Sequence, residues 1–200
     1  MKKTIVAIVI VASVILIGCR ETEKKEETKK AVTVEFEYVQ TEEDYQEYAV
    51  IKGKDKDDAV VWELETAKNP LSILEQVREI GVKEENYYYQ SSEGIFAVKV
   101  SDGSLVWQNK DAIGENFLWG ENGNLYVTGE MAYGFYAIDR NGKTLHAIEN
   151  FGPNYRSISD MEIENDKIMI TMLKDTDSGE EVPVTCIVDL KDYSYMFQDL

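Results

Sequence analysis

The chain has 200 residues, of which 21 are basic and 38 acidic, giving a formal net charge of −17. Setting residues 1–30 aside leaves 14 basic and 34 acidic side chains and a net charge of −20. Such a surface repels polyanions, which excludes nucleic acid and bare anionic lipid headgroups as partners, because both are gripped through Lys and Arg contacts to phosphate. With 12 Tyr, 6 Phe and 3 Trp, the chain also has the aromatic bulk of a folded globular domain rather than of a disordered segment.

At the N-terminus, Lys2 and Lys3 precede an apolar run from Thr4 to Ile17, which stops at Gly18 and Cys19. About 14 residues is short for a bilayer-spanning helix, which needs roughly 20, and suits the h-region of a signal peptide. The sequence Leu16-Ile17-Gly18-Cys19 resembles a bacterial lipobox, with an apolar residue at −3, a small residue at −1 and the cysteine that receives lipid. The resemblance implies diacylglyceryl transfer to the Cys19 sulfur, cleavage after Gly18 and a mature chain that starts at Cys19. Residues 20–31 are almost wholly charged or polar and have no apolar face to bury, so they read as a flexible tether. The expected organisation is a signal peptide over 1–18, a lipidated cysteine and tether over 19–31, and one domain over 32–200. The expected location is the extracytoplasmic side of a cell membrane.

The domain is built from repeats. Aligned on a tight turn, four stretches correspond: 48–62, 95–107, 134–146 and 184–196. Their last residues, Trp62, Trp107, His146 and Met196, are 45, 39 and 50 residues apart, close to the period of about 40–50 residues of a β-propeller blade. Asp102-Gly103 and Asn141-Gly142 supply residues that tolerate φ > 0 in the turn. Phe96, Val98 and Val100 alternate with Ala97, Lys99 and Ser101, the period-2 pattern of a strand with two unlike faces. Further strands are expected at 86–90, 124–128 and 167–171, with innermost strands at 116–119 and 157–161.

Residues 97–107 resemble the quinoprotein (PQQ-like) propeller repeat, an eleven-residue pattern of Ala, Asp, Thr-Gly and Trp. Ala97, Gly103 and Trp107 match in position, while Lys99 replaces the aspartate and Asp102 the threonine. The third copy keeps Ala137, Asp139 and Gly142 and carries His146 in place of the tryptophan. The resemblance implies that Trp62 and Trp107, with Gly103 and Gly142, are structural residues that lock neighbouring blades. Family propellers close with seven or eight blades, and this chain has room for about four. It is therefore a partial propeller, a compact four-unit variant, or one completed by a second copy of the chain as a homodimer. No counterpart of the family's quinone site is present, and no cofactor is expected.

Between the first two copies, Leu71, Leu74, Val77 and Ile80 recur every third residue, with Pro70 before them and Gly81 after. This spacing predicts one amphipathic helix over 69–81, inserted in an otherwise all-β chain.

Few residues offer chemistry. Asp175, Asp177, Gly179, Glu180 and Glu181 have the look of a calcium loop, but lack the third ligand before the glycine and the terminal glutamate of the EF-hand pattern. A solvated hairpin loop is the better reading, and no metal site is assigned. The run Asp55 to Asp58 reads as a turn, and Tyr87-Tyr88-Tyr89 as strand core. Cys186 lies among apolar residues as a buried thiol, and His146, the single histidine, has no partner for a catalytic pair. The functional expectation is a membrane-anchored, non-enzymatic binding or scaffold module with an unidentified protein partner. The alternative is a lipoprotein that binds carbohydrate or another small ligand, with calcium in the 175–181 loop.

Overall fold

The structure, a computed structural model, describes residues 29–41, 45–70, 77–129 and 134–199. Cys19 and the signal peptide lie outside the described residues. Sixteen strands form four antiparallel sheets in chain order. In the first, β1 (Thr33–Thr41), β2 (Gln46–Lys54) and β3 (Val60–Glu65) lie side by side, and β4 (Asn69–Pro70) also pairs with β2. The second runs β5 (Arg78–Lys83), β6 (Asn86–Ser91), β7 (Gly94–Lys99) and β8 (Leu105–Asn109). The third runs β9 (Asn116–Trp119), β10 (Leu125–Thr128), β11 (Phe135–Ile138) and β12 (Thr144–Ile148). The fourth runs β13 (Tyr155–Glu164), β14 (Lys167–Asp175), β15 (Glu181–Asp189) and β16 (Tyr195–Asp199). The four repeats seen in the sequence fall one in each sheet, as four-stranded blades.

Three cores join the sheets in succession. Ala49 and Ile51 of the first sheet meet Tyr87, Tyr89 and Val98 of the second. Tyr88, Ala97 and Trp107 of the second meet Leu125, Val127 and Ile138 of the third. Tyr126, Phe135 and Ala137 of the third meet Ile168, Ile170, Met172 and Cys186 of the fourth. A sheet covered on both sides buries consecutive residues, which is why Tyr87, Tyr88 and Tyr89 are only 1, 5 and 6% exposed. Among the described residues no core joins the fourth sheet to the first, so the stack is open.

The corresponding turn of every sheet, β2–β3, β7–β8, β11–β12 and β15–β16, carries one residue of positive φ: Asp58 (62°), Gly103 (70°), Gly142 (81°) and Tyr193 (58°). What stands there depends on what the preceding sheet lays over it. Trp62 covers the Gly103 turn and donates Nε1–H to the Val100 carbonyl at 2.7 Å; a Cβ on Gly103 would lie 2.8 Å from the indole. Trp107 covers the Gly142 turn and donates to the Arg140 carbonyl at 3.1 Å, where a Cβ would lie 2.5 Å from the ring. Glycine is thus required twice over, by φ and by the close approach of the ring. In the last junction the smaller His146 leaves room for a side chain, and Tyr193 stacks on it at 4.9 Å with planes 6° apart. Among the described residues no indole lies over the first sheet's turn, and Asp58 stands there.

Each locking side chain sits opposite a small residue on the adjacent strand: Trp62 opposite Gly53, Trp107 opposite Ala97, His146 opposite Ala137. In the fourth sheet the corresponding pair is Ile187 and Met196, on the face turned away from the third sheet. Met196 is 62% exposed.

The two ends of the stack differ. The outward face of the first sheet carries Glu35, Glu37, Lys52, Lys54, Glu63 and Glu65, with Lys52 paired to Glu37 at 2.9 Å and Lys54 to Glu35. Lys68 pairs with Glu65 at 3.3 Å and lies over the Tyr48 ring at 4.9 Å. On the outward face of the fourth sheet, Met169, Ile187 and Met196 stand in one row and Leu173 and Pro183 in another, with the acidic Asp160 and Glu162 on β13 and charged residues at both strand ends, Lys167, Asp189 and Glu164 at one and Arg156, Asp175 and Glu181 at the other.

The expected helix is corrected. Among the described residues there is no helix: Asn69 and Pro70 form β4, and Arg78 to Lys83 form β5, the innermost strand of the second sheet. Residues 71–76 lie outside the described residues. Gly81 does not stop a helix; it sits beside the β-bulge between Glu79 and Gly81 with φ 108°. The second sheet needs an inner strand, and pairing β5 with β6 buries Val77 to 2% exposure, which outweighs the three-residue spacing of four apolar side chains.

Replacing Trp107, 8% exposed, by Ala should cost about 3–5 kcal/mol in urea denaturation through the cavity left between two sheets. Met196→Ala, at the corresponding position that no other sheet of the same chain covers, should stay within about 0.5 kcal/mol of the parent protein when both are measured at high dilution.

Candidate binding site

The strand turns divide the stack into two ends. At one end, Val32 N–H donates to the Lys54 carbonyl at 2.7 Å and Ala31 N–H to Ser101 at 3.0 Å, while Lys29 reaches Asp55 at 3.0 Å. The chain therefore enters the domain at the β2–β3 and β7–β8 turns. Val100 N–H to Glu85, Leu190 N–H to Asp166 and the Arg140 guanidinium to the Asn122 carbonyl tie the other turns of this end together. Lys29 holds the Asp55 carboxyl below its ordinary value, helped by the backbone N–H groups of Ala59 and Asp57.

This end carries an open groove of about 1010 Å³ between the third and fourth sheets, lined by Leu118, Trp119, Glu121, Asn122, Ile163, Asn165, Asp166 and Lys191. Trp119 is fixed by the Tyr88 ring edge at 4.6 Å, and Lys83 lies 5.9 Å over its face. Asn122 donates to the Tyr126 hydroxyl at 3.1 Å. Asn165 and Asp166 turn the β13–β14 hairpin at φ 50° and 61°, a conformation Asn and Asp tolerate.

The opposite end holds a shallow, open cavity of about 420 Å³, where the inner strands of the first three sheets converge: Phe36 and Tyr38 from β1, Arg78 and Glu79 from β5, Phe117 from β9, with Val77 and Glu115 beside them. Arg78 pairs with Glu115 at 3.1 Å, both half-buried. The Tyr87 hydroxyl donates to Glu79 at 3.1 Å. Tyr38 donates to the fully buried Glu47 at 2.7 Å and accepts from Gln40 at 2.9 Å. Behind them Ser92 donates to Asn69, whose buried Nδ2 has no hydrogen-bond partner. Aromatic walls with a few placed polar groups are the composition of a recognition site for a small polar ligand or a protruding side chain.

Nucleophilic chemistry finds no support in the one described cysteine. Cys186 is fully buried between the third and fourth sheets, and desolvation pushes its thiol up to about 12. The 175–181 loop is a closed hairpin turn, with Thr176 N–H donating to the Glu180 carbonyl at 2.9 Å and the Asp175 carboxylate engaged by Arg156. Among the described residues no three His, Cys, Asp or Glu side chains converge as metal ligands. Trp62, Gly103, Trp107 and Gly142 lie at the sheet junctions, away from both concavities. Sequence reasoning did not single out Arg78, Glu115, Tyr38 or Glu47.

Strand order and register define an all-β protein of successive blade-like antiparallel sheets. No protein-family model and no curated protein matches the chain. Among solved structures it is similar to BamB from Moraxella catarrhalis, at 11% identity and TM-score 0.45 over 80% of this chain and 60% of that one. It is also similar to a protein of unknown function from Bacteroides caccae, at 13% identity and TM-score 0.46 over 84% of this chain and 68% of that one. A third is virginiamycin B lyase from Staphylococcus aureus, at 10% identity and TM-score 0.41 over 88% of this chain and 71% of that one. The chain thus spans about 60% of the length of the Moraxella protein.

Two outcomes follow from the buried groups. Cys186 should resist a thiol reagent in the native protein at pH 8 and react stoichiometrically in denaturant. Burial raises Tyr87 and, to about 12, Tyr89, with Glu79 and Glu93 adding to the effect. The folded state holds these phenols protonated while the unfolded chain releases their protons near pH 10. Stability should be unaffected by them below pH 10 and fall as pH rises from about 10 to about 12, measured as the urea midpoint against pH.

Proposed function

We propose that this chain is a lipid-anchored, non-enzymatic binding module on the extracytoplasmic side of a membrane, which presents its inner-strand cavity to a partner. The observation that carries the reading is where the chain enters the domain. Lys29, Ala31 and Val32 are held at the turn end, by Asp55, Ser101 and Lys54. Nine residues lie between Cys19 and Lys29, and the ten steps span at most about 35 Å when extended. Acylation of Cys19 therefore keeps the turn end against the membrane and aims the cavity of Tyr38, Arg78 and Glu115 away from it, where another protein can reach it. The net charge of −20 over residues 31–200 favours a basic partner surface and a salt-dependent association rate.

A second reading draws on the groove. An aromatic face, Trp119, beside the amides Asn122 and Asn165 and the carboxylate Asp166 is suited to a sugar, which offers apolar ring faces and hydroxyls. The two readings differ in what is lost on substitution.

Cys19→Ser should move the full chain from the membrane to the soluble fraction; a variant that still sediments with membrane overturns the anchor. Glu115→Gln, with the fold intact by circular dichroism, should weaken capture of the partner recovered by cross-linking in cells. Trp119→Ala should leave that capture unchanged and abolish any heat of binding to an oligosaccharide panel. The reverse pattern would assign function to the groove.

A further inference from the structure

The outward face of the fourth sheet is the one blade face of its kind that no sheet covers among the described residues. We propose that it pairs with the same face of a second copy of the chain, through a two-fold axis parallel to the strands.

Continuity with the three established junctions argues for a sheet as the occupant. In each of the first three sheets the forward face is roofed by the next sheet, with Trp62, Trp107 or His146 at its rim. The fourth sheet presents the equivalent rows, with Ile187 and Met196 in the same places. Head-to-tail addition of a second copy is disfavoured by the other end. It would bury the Lys52–Glu37 and Lys54–Glu35 pairs against methionine and isoleucine, and desolvating such pairs costs more than their attraction returns. The same obstacle stands against two copies closing a ring.

Self-pairing keeps the charged side chains at the margins of the face, with Lys167 of each copy across from Asp189 of the other at one end of the strands and Arg156, Asp175 and Glu181 at the other. A two-fold axis along the strands reverses the strand order, so that β13 of one copy faces β16 of the other. Asp160 and Glu162 then lie across from Gln198 and Met196 rather than from their own images, and Met169 and Ile187 meet at the centre. Three strands of nine or ten residues and β16 of five, about 4.8 Å apart, make a face of about 500 Å², and two such faces bury on the order of 1,000 Å², the lower bound of a specific interface. The same axis leaves both points of chain entry on one side, so two anchored copies reach a single membrane.

The test is the mass of the full-length Cys19→Ser chain, which cannot be acylated, by light scattering and sedimentation from 1 to about 100 µM. A dimer is expected, tightened by added salt because the two copies repel through their net charge. Met196→Glu changes a side chain that is exposed in the monomer. It should leave the melting temperature of the diluted protein unchanged and weaken the dimer at least tenfold, while Lys52→Ala on the opposite face should not. A monomer at every concentration and salt level overturns the proposal, as do open-ended polymers or a dimer indifferent to Met196→Glu. Because mass is read without a membrane, its outcome is separate from that of the Cys19 anchor.

Discussion

An indole ring of one sheet lying flat on the turn of the next is the contact on which the rest of this structure depends. Four-stranded sheets with one or two apolar faces have no reason to hold a fixed angle to one another on hydrophobic burial alone, which is non-directional. The Trp62 and Trp107 side chains supply direction. Each buries a large apolar surface and donates its single N–H to one carbonyl of the following turn, at Val100 and Arg140, so the register between sheets is fixed at a point. Gly103 and Gly142 follow from that contact. The turn needs φ > 0 in every sheet, which Asp58 and Tyr193 also achieve, and it needs the absence of a Cβ only where an indole lies above it.

This contact also explains which parts of the fold were legible in the sequence. The turn residues and the tryptophans carry their own signature, so the four repeats and the strands before them could be placed. Strand β5 could not, because Leu71, Leu74, Val77 and Ile80 carry a helical spacing, and the demand that overrules it is a vacancy beside β6 that no local pattern records. Strand β1 shows plain alternation, Val34, Phe36 and Tyr38 against Thr33, Glu35 and Glu37, but lies outside a unit defined by the β2–β3 hairpin. The cavity was illegible for a related reason. Arg78 and Glu115 are 37 residues apart and meet only because the inner strands of neighbouring sheets converge, which puts them in no motif.

Charge is distributed to match. Only a few of the domain's basic residues neutralise acids at close range, and three of them, Lys52, Lys54 and Lys68, do so on the first sheet. Another, Arg78, serves inside the cavity. The acids of the fourth sheet's outward face lie on β13 and at the strand ends, where Arg156 holds Asp175. Ion pairs thus cover the centre of the first sheet's outward face and only the margin of the fourth sheet's.

The sealed face of the first sheet has a consequence for how the chain acquires its shape. Every sheet is a local meander, and each one, once made, leaves a single apolar side waiting for residues that follow it in sequence. A ribosome delivering the chain from its N-terminus therefore releases the charged end first, and at each later moment only one sticky surface is open to misassociation. Growth proceeds in one direction, sheet upon sheet, without any earlier sheet having to wait for the last to arrive. The polarity of the stack is in this sense a folding order written into surface chemistry.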